Sequence, residues 1–271
     1  MKCILNGKLI DEADTNVSIF DLGLLRGWGV FDFAYARREK VFYGKEHLAR
    51  FENSAKLLDI KLPYALDDIL NETEKLIVVN GMDESLVRWV LTGGVIENGS
   101  DPTFAILNEK YISPPEELYK KGIAIKTIKL KREIPEAKTL NYQIRYSNLA
   151  EMKKQGYFEL LYVSGDNVLE CTTANVFMVK HSKLFTPNAE ILPGITRGIV
   201  IKLATESGIE VSQQNISLTE ILQADEVFIT NTTKKILPVH SINTQKFSCP
   251  GEISSVLMEK FKIMEKNALS G

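Results

Sequence analysis

Apolar residues in the first third of the chain follow two different periods. One segment places them at helical spacing: Leu48, Phe51, Ala55 and Leu58. This spacing predicts an amphipathic helix over residues 46–58, and a second helix is expected over residues 65–80, closed by Asn80-Gly81. Strand-like patterns occupy four further segments: residues 3–10, 30–43, 86–91 and 102–107. Helices and hairpins are therefore mixed from the start of the chain.

Residues 114–117, Pro-Pro-Glu-Glu, mark a change in the pattern. Two adjacent prolines cannot join a regular element. We therefore predict a smaller domain over residues 1–113, a linker over 114–117 and a larger domain over 118–271. The larger domain has these predicted strands and helices: strands at 124–130, 159–164, 168–180, 210–214 and 226–230, and helices at 144–155, 196–207 and 218–223. The fold class is α+β, with two domains and a cleft between them.

Composition excludes several classes of protein. The 271 residues are 44% hydrophobic and 25% charged with a net charge of −2, so no basic excess indicates a nucleic-acid partner. No apolar run reaches the length of a membrane span, and the N-terminus lacks the apolar core of a signal peptide. Three cysteines without metal-type spacing indicate reduced thiols. We expect a cytoplasmic protein without a metal, membrane or nucleic-acid partner.

Lys138 is the first candidate for chemistry. It lies in Glu136-Ala-Lys-Thr-Leu-Asn-Tyr142, where Thr139, Asn141 and Tyr142 supply polar groups able to orient an amine. Most lysines are solvated surface charges, which is the simpler interpretation. A lysine that is buried, or that lies beside another cation, can instead act as a nucleophile and form a Schiff base. The residues alone leave both interpretations open.

Glu170 is the second candidate, on a predicted strand whose other residues are apolar or small. Its carboxylate could face solvent on the outer side of the sheet. Alternatively, it could bind a protonated pyridine nitrogen and keep that ring able to accept electrons. A buried carboxylate without such a partner would be costly. In that second case, Glu170 and Lys138 would supply the two ends of a pyridoxal phosphate site.

Three further segments could bind a phosphate. In Ile191-Leu-Pro-Gly-Ile-Thr-Arg-Gly198, a glycine precedes a predicted helix, so backbone N–H groups of Ile195 and Thr196 can point at an anion. The strand exit Phe228-Ile-Thr-Asn-Thr-Thr-Lys-Lys235 is rich in hydroxyl groups. Arg50 is either a solvated helix arginine or the two-point donor that a phosphate favours. Each segment also has a purely structural interpretation.

In combination, these segments resemble the class IV family of pyridoxal phosphate enzymes, whose fold is shared by branched-chain aminotransferases, D-amino acid aminotransferases and aminodeoxychorismate lyases. The resemblance runs nearly end to end through six stretches: Asp21-Leu-Gly with Arg26-Gly-Trp-Gly-Val-Phe31, His47-Leu-Ala-Arg50, Lys138-Thr-Leu-Asn-Tyr142, Glu170 through Phe177, Leu192-Pro-Gly-Ile-Thr-Arg197 and Ala224-Asp-Glu-Val-Phe228. Each stretch is unspecific alone, but their common order over more than two hundred residues is specific.

The resemblance implies a fold, a cofactor and a set of roles. It implies the D-amino acid aminotransferase-like fold, with two α/β domains and pyridoxal 5'-phosphate in the cleft between them. Lys138 would be the catalytic Schiff-base lysine, and Glu170 would bind the pyridine nitrogen. Four residues would hold the phosphate, two of them through backbone N–H groups: Arg50, Ile195, Thr196 and Thr232. The assembly would be a homodimer acting on a small amino substrate.

Departures from the aminotransferase pattern favour a lyase. Thr232-Thr-Lys-Lys235 stands where aminotransferases of the family carry Thr-Ala-Ala-Glu or Thr-Thr-Ser-Glu, and an Arg-x-His substrate clamp is missing. A separate departure leaves the substrate-facing wall open: Phe31 stands where many aminotransferases have an active-site tyrosine. Candidates to bind substrate carboxylates remain open: Tyr35, Arg37, Arg38, Arg88 and Asn108.

Our first hypothesis is therefore a 4-amino-4-deoxychorismate lyase that releases pyruvate and leaves 4-aminobenzoate for folate synthesis. Lys138 would take the proton from the carbon that bears the nitrogen. The alternative is a branched-chain or D-amino acid aminotransferase with the same lysine and glutamate. A more remote alternative is a non-catalytic protein that binds a phosphate ligand on the same scaffold.

Overall fold

The computed structural model describes residues 1–96 and 100–269 and divides the chain into two compact units. The first contains residues 1–112, 136–141 and 268–269, and the second contains residues 113–135 and 142–267. The division after Ile112 lies next to the predicted linker, but a helix begins inside that linker, at Glu116. Residues 136–141, assigned from the sequence to the larger domain, belong to the first unit because they pair with one of its strands.

The first unit is a six-stranded sheet with its helices. Its strands are β1 Lys2–Leu5, β2 Lys8–Asp11, β3 Gly29–Arg37, β4 Lys40–Val41, β5 Glu84–Ile96 and β6 Ser100–Lys110. Its helices are α1 Leu22–Arg26, α2 Gly44–Leu57 and α3 Leu66–Asn80, with a short 3-10 turn at Glu12–Asp14. The predicted hairpins and both predicted long helices are confirmed. The strand order is β2-β1-β6-β5-β3-β4.

One face of this sheet carries the hydrophobic core. Leu48 and Phe51 of α2 and Leu76 of α3 pack with Val87 and Trp89 of β5. The Trp89 indole N–H donates to the Thr73 hydroxyl on α3 at 2.9 Å, which fixes that helix on the same face. Because side chains alternate along a strand, neighbouring residues of β3 and β5 must lie on the opposite face.

The second unit contains a ten-stranded sheet. Its strands are β7 Ile123–Lys129, β8 Glu159–Ser164, β9 Asn167–Cys171, β10 Asn175–Lys180, β11 Lys183–Thr186, β12 Val211–Gln213, β13 Ile216–Ser217, β14 Glu226–Asn231, β15 Lys235–Ile242 and β16 Gln245–Lys246. Its helices are α4 Glu116–Lys121, α5 Gln143–Lys154, α6 Ile195–Glu206, α7 Leu218–Leu222 and α8 Glu252–Leu269, the last two residues of which cluster with the first unit. The order is β12-β11-β10-β14-β15-β7-β8-β9-β13, with β16 beside β15.

The predicted long strand over residues 168–180 is broken as expected. The Cys171 N–H donates to the Ala174 carbonyl at 2.7 Å, which closes a turn around Thr172-Thr173 and separates β9 from β10. Within residues 1–96 and 100–269, no helix combines the length and the apolar character needed to cross a membrane.

Candidate active site

Residues 138–140 are fixed in place by pairing with the start of β3. The Phe31 N–H donates to the Lys138 carbonyl, and the Leu140 N–H donates to the Gly29 carbonyl, both at 3.0 Å. Val30 and Thr139 are therefore opposite each other in an antiparallel bridge, and Lys138 is opposite Phe31. Residues opposite each other in such a pair point to the same face. Lys138 thus shares a face with Phe31, on the side of the sheet away from α2 and α3.

The Lys138 side chain is buried against aromatic rings, with only 8% of the residue exposed. Its Nζ lies 4.5 Å from the centroid of the Phe31 ring and 5.0 Å from that of Phe33. Those two rings are stacked at 6.2 Å. Its backbone N–H donates to the buried Ser54 hydroxyl of α2 at 3.0 Å. The alternative of a solvated surface lysine does not describe this residue.

Arg50 belongs to a buried ionic cluster on the other face. Its Nε and Nη2 donate to the two carboxylate oxygens of Asp32, each at 2.8 Å. The His47 Nδ1 lies 2.9 Å from Asp32 Oδ1. Asp32 follows Phe31 directly, so the alternation of side chains places it toward α2, which carries both Arg50 and His47. Ser54 donates to the Arg50 carbonyl at 2.8 Å and thereby joins this cluster to the Lys138 backbone.

The charge states in this cluster follow from burial and proximity. Burial would raise the pKa of the Asp32 carboxyl, but Arg50 and His47 hold that pKa well below its ordinary value. Burial lowers the pKa of His47, although Asp32 acts in the opposite direction. An ionised Asp32 carboxylate can only accept, so in this contact a His47 Nδ1–H would be the donor. The role of His47 is structural, because it is buried in contact with Asp32.

The five carboxylate-binding candidates separate into different environments. Arg37 and Arg38 form surface ion pairs with Glu84 and Asp83. Asn108 belongs to the helix side of the sheet, and Tyr35 packs edge-on against Tyr111 with a centroid distance of 5.0 Å. Arg88 differs, because its Cζ lies 5.7 and 5.6 Å from the same Phe31 and Phe33 rings that contact Lys138.

Glu170 is buried in the second unit, with 5% of the residue exposed. Its Oε1 accepts from Arg132 Nε at 2.8 Å and lies 2.7 Å from Nη2. Its Oε2 accepts the Leu192 backbone N–H at 3.0 Å. The alternative of a solvent-facing carboxylate is therefore wrong. Arg132 was missed in the sequence, because it lies in an irregular segment far from Glu170 and shows no local pattern.

The loop before α6 is shaped by two side chains. Glu170 binds the Leu192 N–H, while the Asn175 amide donates to the Leu192 carbonyl at 2.9 Å. A Cβ atom at Gly194 would overlap Asn175 Oδ1, so only glycine fits there. Gly194 is the N-cap residue and has no capping side chain. Helix α6 therefore begins directly after a closely packed glycine, and its first two N–H groups belong to Ile195 and Thr196.

Thr232 lies in the turn between β14 and β15. Asn231 closes this turn, since its Oδ1 accepts the Lys234 N–H at 2.8 Å and the Thr233 hydroxyl at 3.3 Å. Burial lowers the pKa of Lys234, with Glu159 acting in the opposite direction and Arg145 adding to the lowering. The predicted residues thus divide between the units: Arg50 and Lys138 in the first, and Glu170, Ile195, Thr196 and Thr232 in the second.

A second buried carboxylate stabilises the break between β9 and β10. Glu159 is fully buried and accepts from Arg145 Nη1 at 3.0 Å and from both hydroxyls of Thr172 and Thr173. The sequence placed Glu159 at the start of a strand but did not indicate this role. Its partners come from a helix and from a turn, so no short motif connects them.

Comparison with known proteins places the chain in a family. The model of the class IV amino-transferases matches residues 29–242, most of the chain. The chain therefore belongs to the class IV aminotransferases, a family of enzymes that use pyridoxal phosphate. The family and the α+β fold implied by the resemblance are confirmed.

Several individual proteins are similar over nearly their whole length. A Methanocaldococcus jannaschii protein, provisionally named a branched-chain-amino-acid aminotransferase, is 38% identical over 97% of this chain and 96% of its own. A Listeria monocytogenes D-alanine aminotransferase is 30% identical over 90% of this chain and 88% of its own. The Escherichia coli branched-chain amino acid aminotransferase structure superposes with a TM-score of 0.90 and 26% identity, covering 98% of this chain and 95% of its own.

A lyase is also among the structural neighbours. A Legionella pneumophila protein, provisionally named a 4-amino-4-deoxychorismate lyase, superposes with a TM-score of 0.84. The two sequences are 23% identical, and the superposition covers 93% of this chain and 97% of the Legionella chain. At this identity the match shows the fold alone. Both sequence relatives described above carry the names of aminotransferases.

The Asp32 cluster yields a testable prediction. Asp32→Asn should lower the free energy of unfolding of the first unit by about 3–5 kcal/mol at pH 7, because it leaves Arg50 buried without its counter-charge. Unfolding can be followed by tryptophan fluorescence, since both tryptophans, Trp28 and Trp89, lie in the first unit. Asp83→Asn, at an exposed ion pair, should change stability by less than about 0.5 kcal/mol.

The same variant also tests whether the pKa of the Asp32 carboxyl is lowered in the folded protein. A carboxyl whose folded-state pKa is lowered stabilises the fold above its unfolded pKa and loses that effect as pH falls toward the folded pKa. The difference in free energy of unfolding between wild type and Asp32→Asn should therefore shrink by about 1.4 kcal/mol per pH unit below about pH 4. A gap that stays constant from pH 5 to pH 3 would contradict the assigned charge state.

Proposed function

We propose that this enzyme is an aminotransferase that moves an amino group between small amino acids and 2-oxo acids with neutral, apolar side chains. The observation that carries this proposal is Lys138, a buried amine 4.5 Å from an aromatic ring centroid and fixed by strand pairing. Membership of the class IV aminotransferases supports it. The named activities of the similar proteins, on branched-chain amino acids and on D-alanine, support the substrate class.

Lys138 would have two roles. Its Nζ would hold the cofactor covalently, and as a base it would carry the proton to and from the substrate α-carbon. Bound pyridoxal phosphate would supply an acceptor for the electrons left at that carbon. Burial against Phe31 and Phe33 would limit the access of water to the amine. The aromatic surface would also suit an apolar substrate side chain.

The remaining predicted residues would hold the pyridine nitrogen and the phosphate of the cofactor. Glu170 would accept a hydrogen bond from the protonated pyridine nitrogen, while Arg132 and the Leu192 N–H hold its carboxylate in a fixed orientation. The N–H groups of Ile195 and Thr196 would bind the phosphate, because Gly194 leaves no side chain over the start of α6. Arg50 and Thr232 would complete the phosphate contacts. Asp32 would keep the Arg50 guanidinium in a single orientation.

Assembly and location belong to the same proposal. We propose a homodimer, and apolar side chains exposed around α1 support it: Val17, Ile19, Phe20, Leu24 and Leu25. Exposed apolar patches are typical of protein–protein contacts. The cytoplasmic location stays a prediction from the sequence, as does the absence of nucleic-acid and membrane partners.

The cofactor role of Lys138 can be tested by absorbance. Wild-type protein supplied with pyridoxal phosphate should develop a visible band from the covalently bound cofactor, and Lys138→Ala should lack it. Lys129→Ala removes an exposed lysine and should keep the band. A wild-type band that survives Lys138→Ala would assign the covalent bond to another residue, and a wild type without any band would contradict cofactor binding.

The reaction can be tested by its products. Incubation with leucine, valine or D-alanine and a 2-oxo acid should yield the amino acid that corresponds to the added 2-oxo acid. The rate should depend on the concentrations of both substrates. With aminodeoxychorismate, no pyruvate should appear. Release of pyruvate without any 2-oxo acid would instead support the lyase, and the aminotransferase proposal would fail.

A further inference from the structure

A serine on α2 contacts two of the residues that the proposed function uses. Ser54 is fully buried, and its Oγ donates to the Arg50 carbonyl at 2.8 Å. The same Oγ accepts the Lys138 backbone N–H at 3.0 Å. The hydroxyl therefore connects the strand-paired segment of Lys138 to the helix that contains Arg50.

The position of Ser54 on α2 explains why it meets both partners. Residues three and four apart share one face of a helix, so His47, Arg50 and Ser54 form a buried stripe on α2. The guanidinium of Arg50 binds Asp32 on β3. Ser54 lies one turn further along the helix, where the segment of Lys138 pairs with the same strand.

Helix stability alone does not account for a serine at this position. Alanine has the higher helix propensity, and a serine that bonds back to the carbonyl four residues earlier slightly destabilises its helix. The Ser54 hydroxyl instead provides an acceptor for a buried main-chain N–H. Removal of the hydroxyl would take away the bond that ties the main chain of Lys138 to α2.

We propose that Ser54 is a positioning residue for the reacting amine. It fixes the main chain of Lys138 relative to Arg50, so the amine and the proposed phosphate contact keep one separation. Proton transfer is sensitive to such placement, since a shift of about 1 Å can cost about a hundredfold in rate. Ser54 contacts main-chain atoms and acts through Lys138. This inference rests on the proposed function, because it takes Lys138 as the residue that holds the cofactor.

The test follows a single turnover of the protein loaded with pyridoxal phosphate. Wild type and Ser54→Ala are mixed with an excess of the amino donor that the wild type uses best, and the loss of the visible cofactor band is recorded. The amplitude reports how much protein is folded and loaded, whereas the rate constant does not depend on that amount. Ser54→Ala should lower the rate constant at saturating donor about tenfold, because the amine is less precisely placed. The donor concentration that gives half the maximal rate should stay unchanged.

Two conservative variants separate the hydroxyl of Ser54 from its volume. Ser54→Thr keeps a hydroxyl that can form both hydrogen bonds, so its rate constant should return to within about twofold of wild type. Ser54→Cys nearly keeps the volume but offers only a weak donor and a weak acceptor, so it should be as slow as Ser54→Ala. If Ser54→Ala does not fold, Ser54→Cys decides, because a wild-type rate constant in that variant overturns the role.

A matched control lies on α3, which contains no residue of the proposed site. The Thr73 hydroxyl donates to the Ile69 carbonyl at 2.6 Å and accepts the Trp89 indole N–H at 2.9 Å, and Thr73 is as fully buried as Ser54. Thr73→Val removes this hydroxyl, so it should lower stability and amplitude but leave the rate constant unchanged. An equal loss of rate in Thr73→Val would mean that any destabilisation of the first unit slows the enzyme, and it would overturn the proposal.

Amide hydrogen exchange gives a second readout, which does not depend on turnover. In the loaded protein, the peptide around residues 136–141 should exchange faster in Ser54→Ala than in wild type, because the Lys138 N–H has lost its acceptor. Thr73→Val should leave the exchange of this peptide unchanged. Equal exchange in wild type and Ser54→Ala would show that the hydroxyl does not hold this segment, and the proposal would fail.

Further outcomes separate this inference from the proposed function. If the amino donor removes the cofactor band of wild type and of Ser54→Ala at the same rate, the positioning role of Ser54 is wrong and the aminotransferase proposal stands. If the wild type forms no cofactor band, or forms one that no amino donor removes, the proposed function itself fails.

Discussion

The antiparallel bridge between residues 138–140 and the start of β3 is the constraint on which the first unit's chemistry depends. It places Lys138 opposite Phe31, so the amine must point to the same face as Phe31 and Phe33. A shift of one residue would turn it toward α2, into the buried cluster of Asp32 and Arg50. Two hydrogen bonds of 3.0 Å and the Ser54 contact fix this register. The bridge also explains why residues 136–141 belong to the first unit although they follow part of the second in sequence.

Compensation of charge is the second organising principle. Three buried carboxylates have an oppositely charged partner: Asp32 with Arg50, Glu170 with Arg132 and Glu159 with Arg145. Such pairs are costly to desolvate and add little net stability compared with apolar packing. Their value is orientation, because a two-point contact holds a side chain in a single position. Arg88 and Glu109 follow the same pattern in a partly exposed setting.

The sequence predicted the periodic elements and the order of the site segments well, but not the contacts between distant segments. The helices α2 and α3 followed from apolar spacing and from Gly81, whose positive φ of 64° closes α3. Strand β15 was missed, because Pro238 within it argues against a regular strand, and α8 was not predicted. Lys138 and Glu170 were found through their local sequence. Arg132 was not, because its partner Glu170 is 38 positions away and only folding brings the two together.

The central claim is that Lys138 is the residue that binds the cofactor covalently. It can be tested by borohydride reduction of the protein loaded with pyridoxal phosphate, followed by peptide mapping with mass spectrometry. Reduction converts the labile bond between a lysine and the cofactor into a stable secondary amine, so the modified residue can be located. We expect the phosphopyridoxyl group on the peptide that contains Lys138, at close to one group per chain. Its presence on another lysine, or spread thinly over many lysines, would contradict the account.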